Sequence, residues 1–594
     1  MAKMVSLARA LATLSLAVSI GSAEAHTQAC RNLPGDARWP NLAAWANLNT
    51  TLKGQLIATV PQADVCHTAP YNDYDATACA ELQSTWTQAE TYVSRPAEIL
   101  NAYYQNQSCD PFTPISRTCE LGNYAAYSIN VTTAQDVIAG FDFASRNNIR
   151  LVVKTTGHDF MGKSTGKGAL SLWMYNLKDK TIIHSYSNPN STYTGPAAKL
   201  GAGVIGGEAD EFVGAAGYRV VAGECPSTGL VGGYSQGGGH SLLGGAYGMA
   251  ADNVLQWEVV TPQGEHLIAT PSSNADLYWA ISGGGGGTFG VVMSMTVKIH
   301  PDGQVANGAL TFDLAGSGSA GNNETVFWQA IEFWFQWIPT FLSLGPAADG
   351  PKNSTTLVQI TNSTFSLLGI TFPDQTVTQL ESTMAPYLAQ LEALNINYTF
   401  STTQQESYLQ AFNSTTGLGP LPWGIMPTTE VWTSRLIPAS FVQNATAVAD
   451  LVAVYRAAVQ DNAFSIGCNV LGGANAPVHP DNAVFPGWRD LAIICNVLHL
   501  WDFEAPLDTN LAFKRELVSV IQPAIEAVTP GTGVYLNEMD PWYEGDWKTE
   551  MYGTNYDRLL TIKHKYDADG LMWGLFAVGS DEFILDGSGR LCRA

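Results

Sequence analysis

The chain has 594 residues, of which 46% are hydrophobic and 14% are charged. This composition excludes a disordered protein and predicts a globular chain of two domains. The formal net charge of −23 excludes nucleic acids and anionic membrane surfaces as partners, because a strongly acidic protein repels phosphate. Beyond the N-terminal segment, no apolar run reaches the ~18 residues of a membrane span.

Residues 1–25 are typical of a secretory signal peptide. Lys3 and Arg9 precede an apolar core over residues 10–20, and a small-x-small cleavage site, Ala-Glu-Ala, follows it. We therefore expect a secreted, extracellular protein. Ten Asn-x-Ser/Thr sequons agree with export and predict N-glycans on the surface. Their asparagines are Asn49, Asn106, Asn130, Asn190, Asn323, Asn353, Asn362, Asn397, Asn413 and Asn444.

Nine cysteines follow the signal segment. Disulfides form in an oxidising compartment, and an odd number leaves one cysteine that needs another explanation. Three pairs are close enough in sequence for local bridges, and the two chain ends would supply a fourth, although other connectivities stay open. Cys225 is then the cysteine left over. The candidate pairs are Cys66 with Cys79, Cys109 with Cys119, Cys468 with Cys495 and Cys30 with Cys592.

The first half of the chain divides into an irregular segment and a mixed domain. Residues 26–114 are rich in Asn, Pro and Cys and predict an irregular, disulfide-stapled segment. Residues 115–304 are assigned to an α+β domain without the regular alternation of a doubly wound sheet. The predicted strands are 151–153, 198–204, 218–221, 255–261, 265–270 and 291–299, with helices over 207–217 and 274–282.

Residues 305–529 are predicted to form a second domain, because longer helices over 325–341 and 376–394 begin there. Residues 530–594 return to aromatic and charged motifs and are expected to pack back on the first domain. An aromatic stretch suggests either a core stripe or a sugar-binding platform, and its mostly helical spacing favours the core. It comprises Phe327, Trp328, Phe333, Trp334, Phe335, Trp337 and Phe341.

Glycine is concentrated in two runs. Ten glycines fall within residues 223–248 and six within residues 283–290. Such clusters carry a high entropic cost, and they let backbone N–H groups approach a pyrophosphate or a flat ring. The alternative is a set of flexible turns. A Rossmann loop fits poorly, since the run at 237–239 lies in no clear strand–turn–helix unit.

Four segments share a distinctive pattern of glycine, aromatic and polar residues. They read KTTGHDFMGKS at 154–164, GECPSTGLVGGYSQGGGH at 223–240, DLYWAISGGGGGTFGVV at 276–292 and GTNYDRLL at 553–560. As a set they resemble the berberine-bridge-enzyme-like flavoprotein oxidases of the vanillyl-alcohol-oxidase (VAO) superfamily. The likeness is strongest to secreted fungal members similar to isoamyl alcohol oxidase. Lys154 departs from the arginine that many members carry.

The resemblance implies an α+β, two-domain fold of the VAO/PCMH type. Its FAD-binding domain has two α+β subdomains, and its substrate domain has an antiparallel sheet with covering helices. It also implies FAD attached twice, through His158 to the 8α-methyl group and through Cys225 to C6. The other cofactor-binding residues that it implies are Thr155, Thr156, Gly157, Asp159, Ser164, Gly229, Gly232, Gly233, Gly238, Gly239, Asn253, Gly290, Val291 and Asn555.

The family oxidises a carbon that bears an alcohol, a hemiacetal or a similar group. O₂ accepts the electrons and yields H₂O₂. Many members use a tyrosine as base in the stretch matching residues 535–540, and Glu538 occupies that position here. A carboxylate in apolar surroundings suits general-base work, so we assign Glu538 as the base and Tyr535 as the alternative. Glu538 as a structural carboxylate is the competing interpretation.

Three functions remain open on the sequence: an oxidase of a small-molecule substrate using O₂, a dehydrogenase using another acceptor, and a secreted glycoprotein without activity. We expect a monomer. No metal site is expected, because the ten histidines show no HExxH or comparable cluster.

Overall fold

The computed structural model describes residues 30–188, 191–342, 354–415, 421–424, 430–472 and 479–594. The predicted signal peptide and two sequon asparagines, Asn190 and Asn353, lie outside these residues. The other eight sequon asparagines are exposed or half-buried, as a glycan requires. Within the described ranges, no helix is both long and apolar enough to cross a membrane.

The N-terminal segment is more regular than its composition predicts. It contains two ten-residue helices, Leu42–Thr51 and Ala76–Thr85. Asn41 and Asp75 begin them, because each side chain accepts hydrogen bonds from backbone N–H groups of the first turn. The prediction of an irregular segment was therefore wrong here, since a composition rich in Asn, Pro and Cys does not show which polar residues begin a helix.

A four-stranded mixed sheet begins the first α+β unit. Its strands in spatial order are β1 (Leu56–Ala58), β2 (Tyr127–Asn130), β4 (Leu170–Trp173) and β3 (Leu151–Lys154). The β2–β4 and β3–β4 pairs are parallel. The helix Ala134–Asn147 connects β2 to β3 and buries Val137, Phe141 and Ala144, which recur at helical spacing. Strand β3 ends at Lys154, so residues 155–164 begin at the edge of the sheet.

A five-stranded antiparallel sheet follows, in the order β5, β6, β10, β8, β9. The predicted strands are confirmed with shifted ends, and the 218–221 strand shortens to two residues. The helix predicted over 207–217 ends at Gly214. The elements are β5 (Lys180–Ile183), β6 (Ala197–Gly201), helix Gly206–Gly214, β7 (Tyr218–Arg219), helix Gly244–Tyr247, β8 (Val254–Val260), β9 (His266–Ala269), helix Ala275–Ile281, β10 (Val291–Lys298) and β11 (His300–Pro301).

A seven-stranded antiparallel sheet dominates the second half, in the order β15, β12, β14, β13, β17, β18, β16. Helices Glu324–Phe341, Val377–Ala393 and Ala445–Val459 pack on one face. The aromatic stretch on the first of these helices lies in the core, as its spacing predicts. The strands are β12 (Val305–Ser317), β13 (Thr355–Ile360), β14 (Thr364–Pro373), β15 (Ile396–Gln405), β16 (Glu430–Pro438), β17 (Ser465–Val470) and β18 (Leu491–Leu500).

The C-terminal residues pack against the first two sheets. Helix Tyr556–Tyr566 lies beside helix Ala275–Ile281, where Asp276 pairs with Lys565. Strands β19 (Phe583–Leu585) and β20 (Leu591–Arg593) form a hairpin, and a short helix, Trp547–Tyr552, precedes them. The mixed α+β class with antiparallel sheets is confirmed, whereas the domain boundaries stay a prediction. The remaining helices are Glu90–Val93, Ala102–Gln105, Tyr408–Ser414, Ala439–Val442, Leu507–Glu516 and Gln522–Val528.

Four disulfides join the cysteines in the pairs that the spacing permits. The Cys30–Cys592 bridge connects residues 562 positions apart and ties the two ends of the described chain together. The Cys468–Cys495 bridge links the adjacent strands β17 and β18. Cys225 takes part in none of the four bridges.

Candidate active site

A cavity of about 610 Å³ lies between the glycine-rich loops and the seven-stranded sheet. Residues 155–164, 223–240 and 286–292 contribute to one side, and strands β13, β17 and β18 line the opposite side. Residues 535–538 border it from the C-terminal segment. A volume of this size suits a cofactor together with a small substrate.

Most of the predicted site residues border this cavity, although they come from four separate stretches of sequence. Four others do not line it. Gly239 donates a hydrogen bond from its N–H to the Tyr535 hydroxyl. The side chains of Asn253 and Asn555 donate hydrogen bonds to nearby backbone carbonyls. These contacts lie inside the protein that forms the cavity walls. Gly238 packs against Met249. The predicted residues that line the cavity are Thr155, Thr156, Gly157, His158, Asp159, Ser164, Cys225, Gly229, Gly232, Gly233, Gly290, Val291, Tyr535 and Glu538.

The glycine runs let two backbone segments approach closely beside the cavity. A Cβ atom at Gly286 would lie 2.7 Å from the Cα of Gly233, so a side chain there would force the segments apart. Gly157 has a φ of +89°, and a Cβ on it would lie 2.9 Å from the carbonyl oxygen of Glu98. Gly233 itself has open space beyond its Cα. This bare backbone wall fits a flat ring such as the flavin that the resemblance implies.

His158 and Cys225 meet at one end of the cavity, although 67 residues separate them. The Sγ of Cys225 lies 4.0 Å from His158 Nε2, and the Ser227 hydroxyl lies 2.8 Å from the same nitrogen. Burial, together with the positive charge of Lys154, lowers the pKa of His158 to about 4. The imidazole is therefore neutral near pH 7 and keeps a lone pair for bonding. Both side chains fit the attachment of one flavin ring.

Asp159 organises the loop that follows His158. Its carboxylate accepts hydrogen bonds from the Ser164 backbone N–H at 2.6 Å and from the Ser164 hydroxyl at 2.7 Å. Lys163 borders the cavity in the same loop, and burial lowers its pKa to about 8 against the opposing pull of Asp159. Lys163 is not among the residues predicted from the sequence, although it lies in the segment at 154–164 that carries the family resemblance. Its cationic form suits a diphosphate group.

Glu538 belongs to a chain of three ionisable groups, of which Glu224 and His240 are buried and Glu538 is half-buried. His240 Nε2 lies 3.0 Å from Glu538 Oε1, and His240 Nδ1 lies 3.1 Å from Glu224 Oε2. Burial lowers the pKa of His240, but the two carboxylates outweigh it and hold that pKa well above its usual range. The imidazole is thus a buried cation between two carboxylates. Asn496 also reaches Glu538, with its Nδ2 at 3.4 Å from Oε2.

Glu224 and His240 are not among the residues predicted from the sequence, although both lie in the segment at 223–240 that carries the family resemblance. The signal was the rarity of ionisable residues within the glycine run at 223–248. Both side chains are at most 7% exposed, and both border the cavity. Among the described residues, no hydrogen bond reaches Oε1 of Glu224.

Tyr535 is held in place by its hydroxyl group. That oxygen accepts hydrogen bonds from the Gly239 N–H at 3.2 Å and from Asn537 Nδ2 at 2.8 Å. Burial, reinforced by the charge of Glu538, raises the pKa of Tyr535 well above its usual range. The phenol therefore stays protonated near neutral pH. This favours a positioning role over that of a base.

Two family models match the chain: "FAD binding domain" over residues 125–270 and "Berberine and berberine like" over residues 534–573. The bifunctional decalin synthase calF of Penicillium decumbens is 48% identical over 97% of this chain and 98% of its own length. The crystal structure of the VAO-type flavoprotein MtVAO615 from Myceliophthora thermophila C1 superposes with a TM-score of 0.89 at 44% identity, covering 95% of this chain and all of that one.

A more distant match shows the fold alone. The glucooligosaccharide oxidase of Acremonium strictum, which carries a 6-S-cysteinyl, 8α-N1-histidyl FAD, superposes with a TM-score of 0.62 at 18% identity. The match covers 77% of this chain and 92% of that oxidase.

Proposed function

This chain belongs to the berberine-bridge-enzyme-like, FAD-linked oxidoreductases of the VAO superfamily, and we propose that it is a secreted oxidase of a small hydroxylated molecule. The reaction removes a hydride from a carbon that bears an alcohol, a hemiacetal or a similar group, and a proton from the hydroxyl oxygen on that carbon. O₂ then takes up the electrons, and the products are the oxidised substrate and H₂O₂.

The observation that carries this proposal is the pairing of Glu538 with His240 at the edge of the cavity. A carboxylate oxygen of Glu538 accepts the proton of the substrate hydroxyl, and His240 holds that carboxylate in place through Nε2. Glu224 supports the same imidazole from its other side. Because the imidazole stays cationic, it balances the negative charge of Glu538 before the proton arrives.

His158 and Cys225 hold the FAD by two covalent bonds in this proposal, through the 8α-methyl group and C6. The neutral imidazole and the nearby thiol lie at one end of the cavity, which supports the assignment. When bound, FAD supplies the acceptor of the hydride. Double attachment suits a secreted enzyme, because a freely dissociating cofactor is lost by dilution. Lys163 and the loop over residues 155–164 orient the diphosphate.

Export is supported by the four disulfides and by the sequons on the surface of the described residues. N-glycans on these asparagines and a monomeric state complete the proposal. The predicted cleavage after residue 25 is tested by N-terminal sequencing of the protein collected from culture medium.

Replacing Glu538 by glutamine tests the assigned base. Anaerobic flavin reduction by an alcohol substrate should slow by ~10²-fold or more, because the amide cannot accept the hydroxyl proton. Glu544→Gln is the matched control, since this exposed carboxylate on the same segment does not line the cavity. A less than twofold change in Glu538→Gln would reject the role.

Measuring peroxide separates the proposal from its rivals. Equal amounts of H₂O₂ and oxidised product in air support the oxidase. Fast dye reduction without peroxide indicates a dehydrogenase. A protein that carries flavin but is reduced by no member of a broad alcohol and sugar panel indicates a glycoprotein without this activity.

A further inference from the structure

The cavity wall opposite the glycine loops is formed by one face of the seven-stranded sheet. Successive residues of a strand point to opposite faces, and paired residues of adjacent strands share a face. The strand register therefore places nine cavity-lining residues in three rows. These rows are Trp432–Leu498–Ser465, Asn496–Gly467–Gln359 and Asn469–Leu357–Leu368.

Gly467 lies at the centre of these nine residues. Its partners across the strands are Asn496 on one side and Gln359 on the other. The amide of Asn496 reaches Glu538, so Gly467 is one strand away from a residue that contacts the proposed base. A side chain at position 467 would extend over the centre of this wall.

The protein itself does not require glycine at this position. The φ of Gly467 lies outside the left-handed region, so its backbone conformation suits any residue. A Cβ atom there would meet a single atom within 4 Å, the Cδ2 of Leu498 at an ordinary 3.6 Å. Glycine inside a strand loses conformational entropy and side-chain packing, and it commonly marks a place where a ligand approaches closely. The space over Gly467 is therefore available to the substrate.

The wall around Gly467 is uncharged, and the exposed surface of the whole cavity is largely apolar. Two amides lie beside Gly467, and three leucines and Trp432 occupy the rows on either side. The ring of Trp432 lies 5.6 Å from that of Phe160 across the cavity. Its polar groups are amides and one hydroxyl, and no residue of the three rows carries a charge. An oligosaccharide carries more hydroxyls than these three amides and one hydroxyl can bond, so several would lie against leucine without hydrogen bonds, at a cost for each. An anionic substrate would find no cation in this wall.

We infer that the site accepts an uncharged, predominantly apolar alcohol whose ring or branched carbon skeleton lies over Gly467, and that the missing side chain at Gly467 sets the size limit of the substrate. The inference deepens the proposed function and rests on it for the reacting hydroxyl group. The Cys468–Cys495 disulfide links β17 to β18 beside Gly467, so these strands cannot easily separate to admit a larger substrate.

The test compares Gly467→Val with the wild-type holoenzyme on three probes. These are 1-propanol as a small alcohol, cyclohexylmethanol as a bulky apolar alcohol and maltotriose as a bulky polar one. Anaerobic flavin reduction by cyclohexylmethanol should fall about tenfold or more in Gly467→Val, while reduction by 1-propanol changes less than about twofold. The wild type should be reduced faster by cyclohexylmethanol than by maltotriose. Gly467→Ala should give an intermediate loss.

Equal losses for both alcohols in Gly467→Val, or faster reduction by maltotriose, would overturn the inference. Binding of cyclohexylmethanol to the same proteins is measured by their tryptophan fluorescence. This measurement separates a wrong assignment of the wall from a failure of the proposed reaction. If no alcohol reduces the flavin, weaker binding to Gly467→Val still supports the wall assignment, and equal binding overturns it. Should Gly467→Val lose flavin, the same two comparisons are made with Gly467→Ala.

Discussion

Replacing His240 by glutamine tests the buried charge chain at the centre of the site. The change removes a cation that is 6% exposed and lies between Glu538 and Glu224, with both distances near 3 Å. Glutamine keeps hydrogen-bonding capacity and similar bulk but cannot neutralise either carboxylate. Glu538 then loses the partner that orients it.

The expected loss of stability follows from the burial of His240. Removing one member of a buried ion pair costs about 3–5 kcal/mol, and the lower end applies here because the Glu538 side chain is 21% exposed. A loss of about 3 kcal/mol lowers the Tm of a chain of this length by about 2–3 °C. Flavin reduction should slow by up to ~10²-fold, as expected for a misplaced base.

The stability lost in His240→Gln should become smaller as the pH rises. The pKa of His240 is held well above its usual range, so the stabilisation is fully present below about pH 6.5. It is lost as the pH rises through that raised pKa. The Tm difference between wild type and His240→Gln should therefore be larger at pH 6 than at strongly alkaline pH.

Thermal unfolding across pH and anaerobic stopped-flow reduction measure both consequences. His266→Gln is the matched control, because His266 pairs with Glu258 at the same 3.0 Å but is 43% exposed. That surface pair should contribute less than about 1 kcal/mol. An unchanged Tm and an unchanged reduction rate in His240→Gln would refute the reasoning about the charge chain.

Three further predictions concern the cofactor and the chain ends. His158→Ala and Cys225→Ala should each keep flavin in an acid-precipitated pellet, and the double variant should release it. Peptide mass mapping locates the remaining flavin bond in each single variant. Release of free FAD from either single variant would contradict double attachment. Lys154→Met should raise the pKa of His158 from about 4 by removing a neighbouring cation, so NMR titration of the apoprotein should show a higher midpoint. Replacing Cys30 and Cys592 together by alanine should lower the free energy of unfolding by about 3–5 kcal/mol, because their bridge closes a very long loop. An unchanged denaturation midpoint would contradict this stabilising role of the bridge.

Much of the fold was readable from local patterns. The strand β10 and the helix Glu324–Phe341 were found within one or two residues, because apolar spacing reports which face an element buries. The two ten-residue helices of the N-terminal segment were missed. Helix Leu42–Thr51 buries only Trp45 and Leu48, and helix Ala76–Thr85 buries no residue fully, so the periodic signal was weak.

The sequence by itself determined a chemical inventory: glycine-rich loops, a histidine and a surplus cysteine that we propose hold a flavin, and a carboxylate that we propose as the base. Local motifs carry such information because a loop's conformation depends largely on its own residues. Only the tertiary structure decided that His240 joins Glu224 to Glu538, and that Gly467 lies beside Asn496. These contacts join residues far apart in the chain, and their energies arise from burial and strand register, which no single segment encodes.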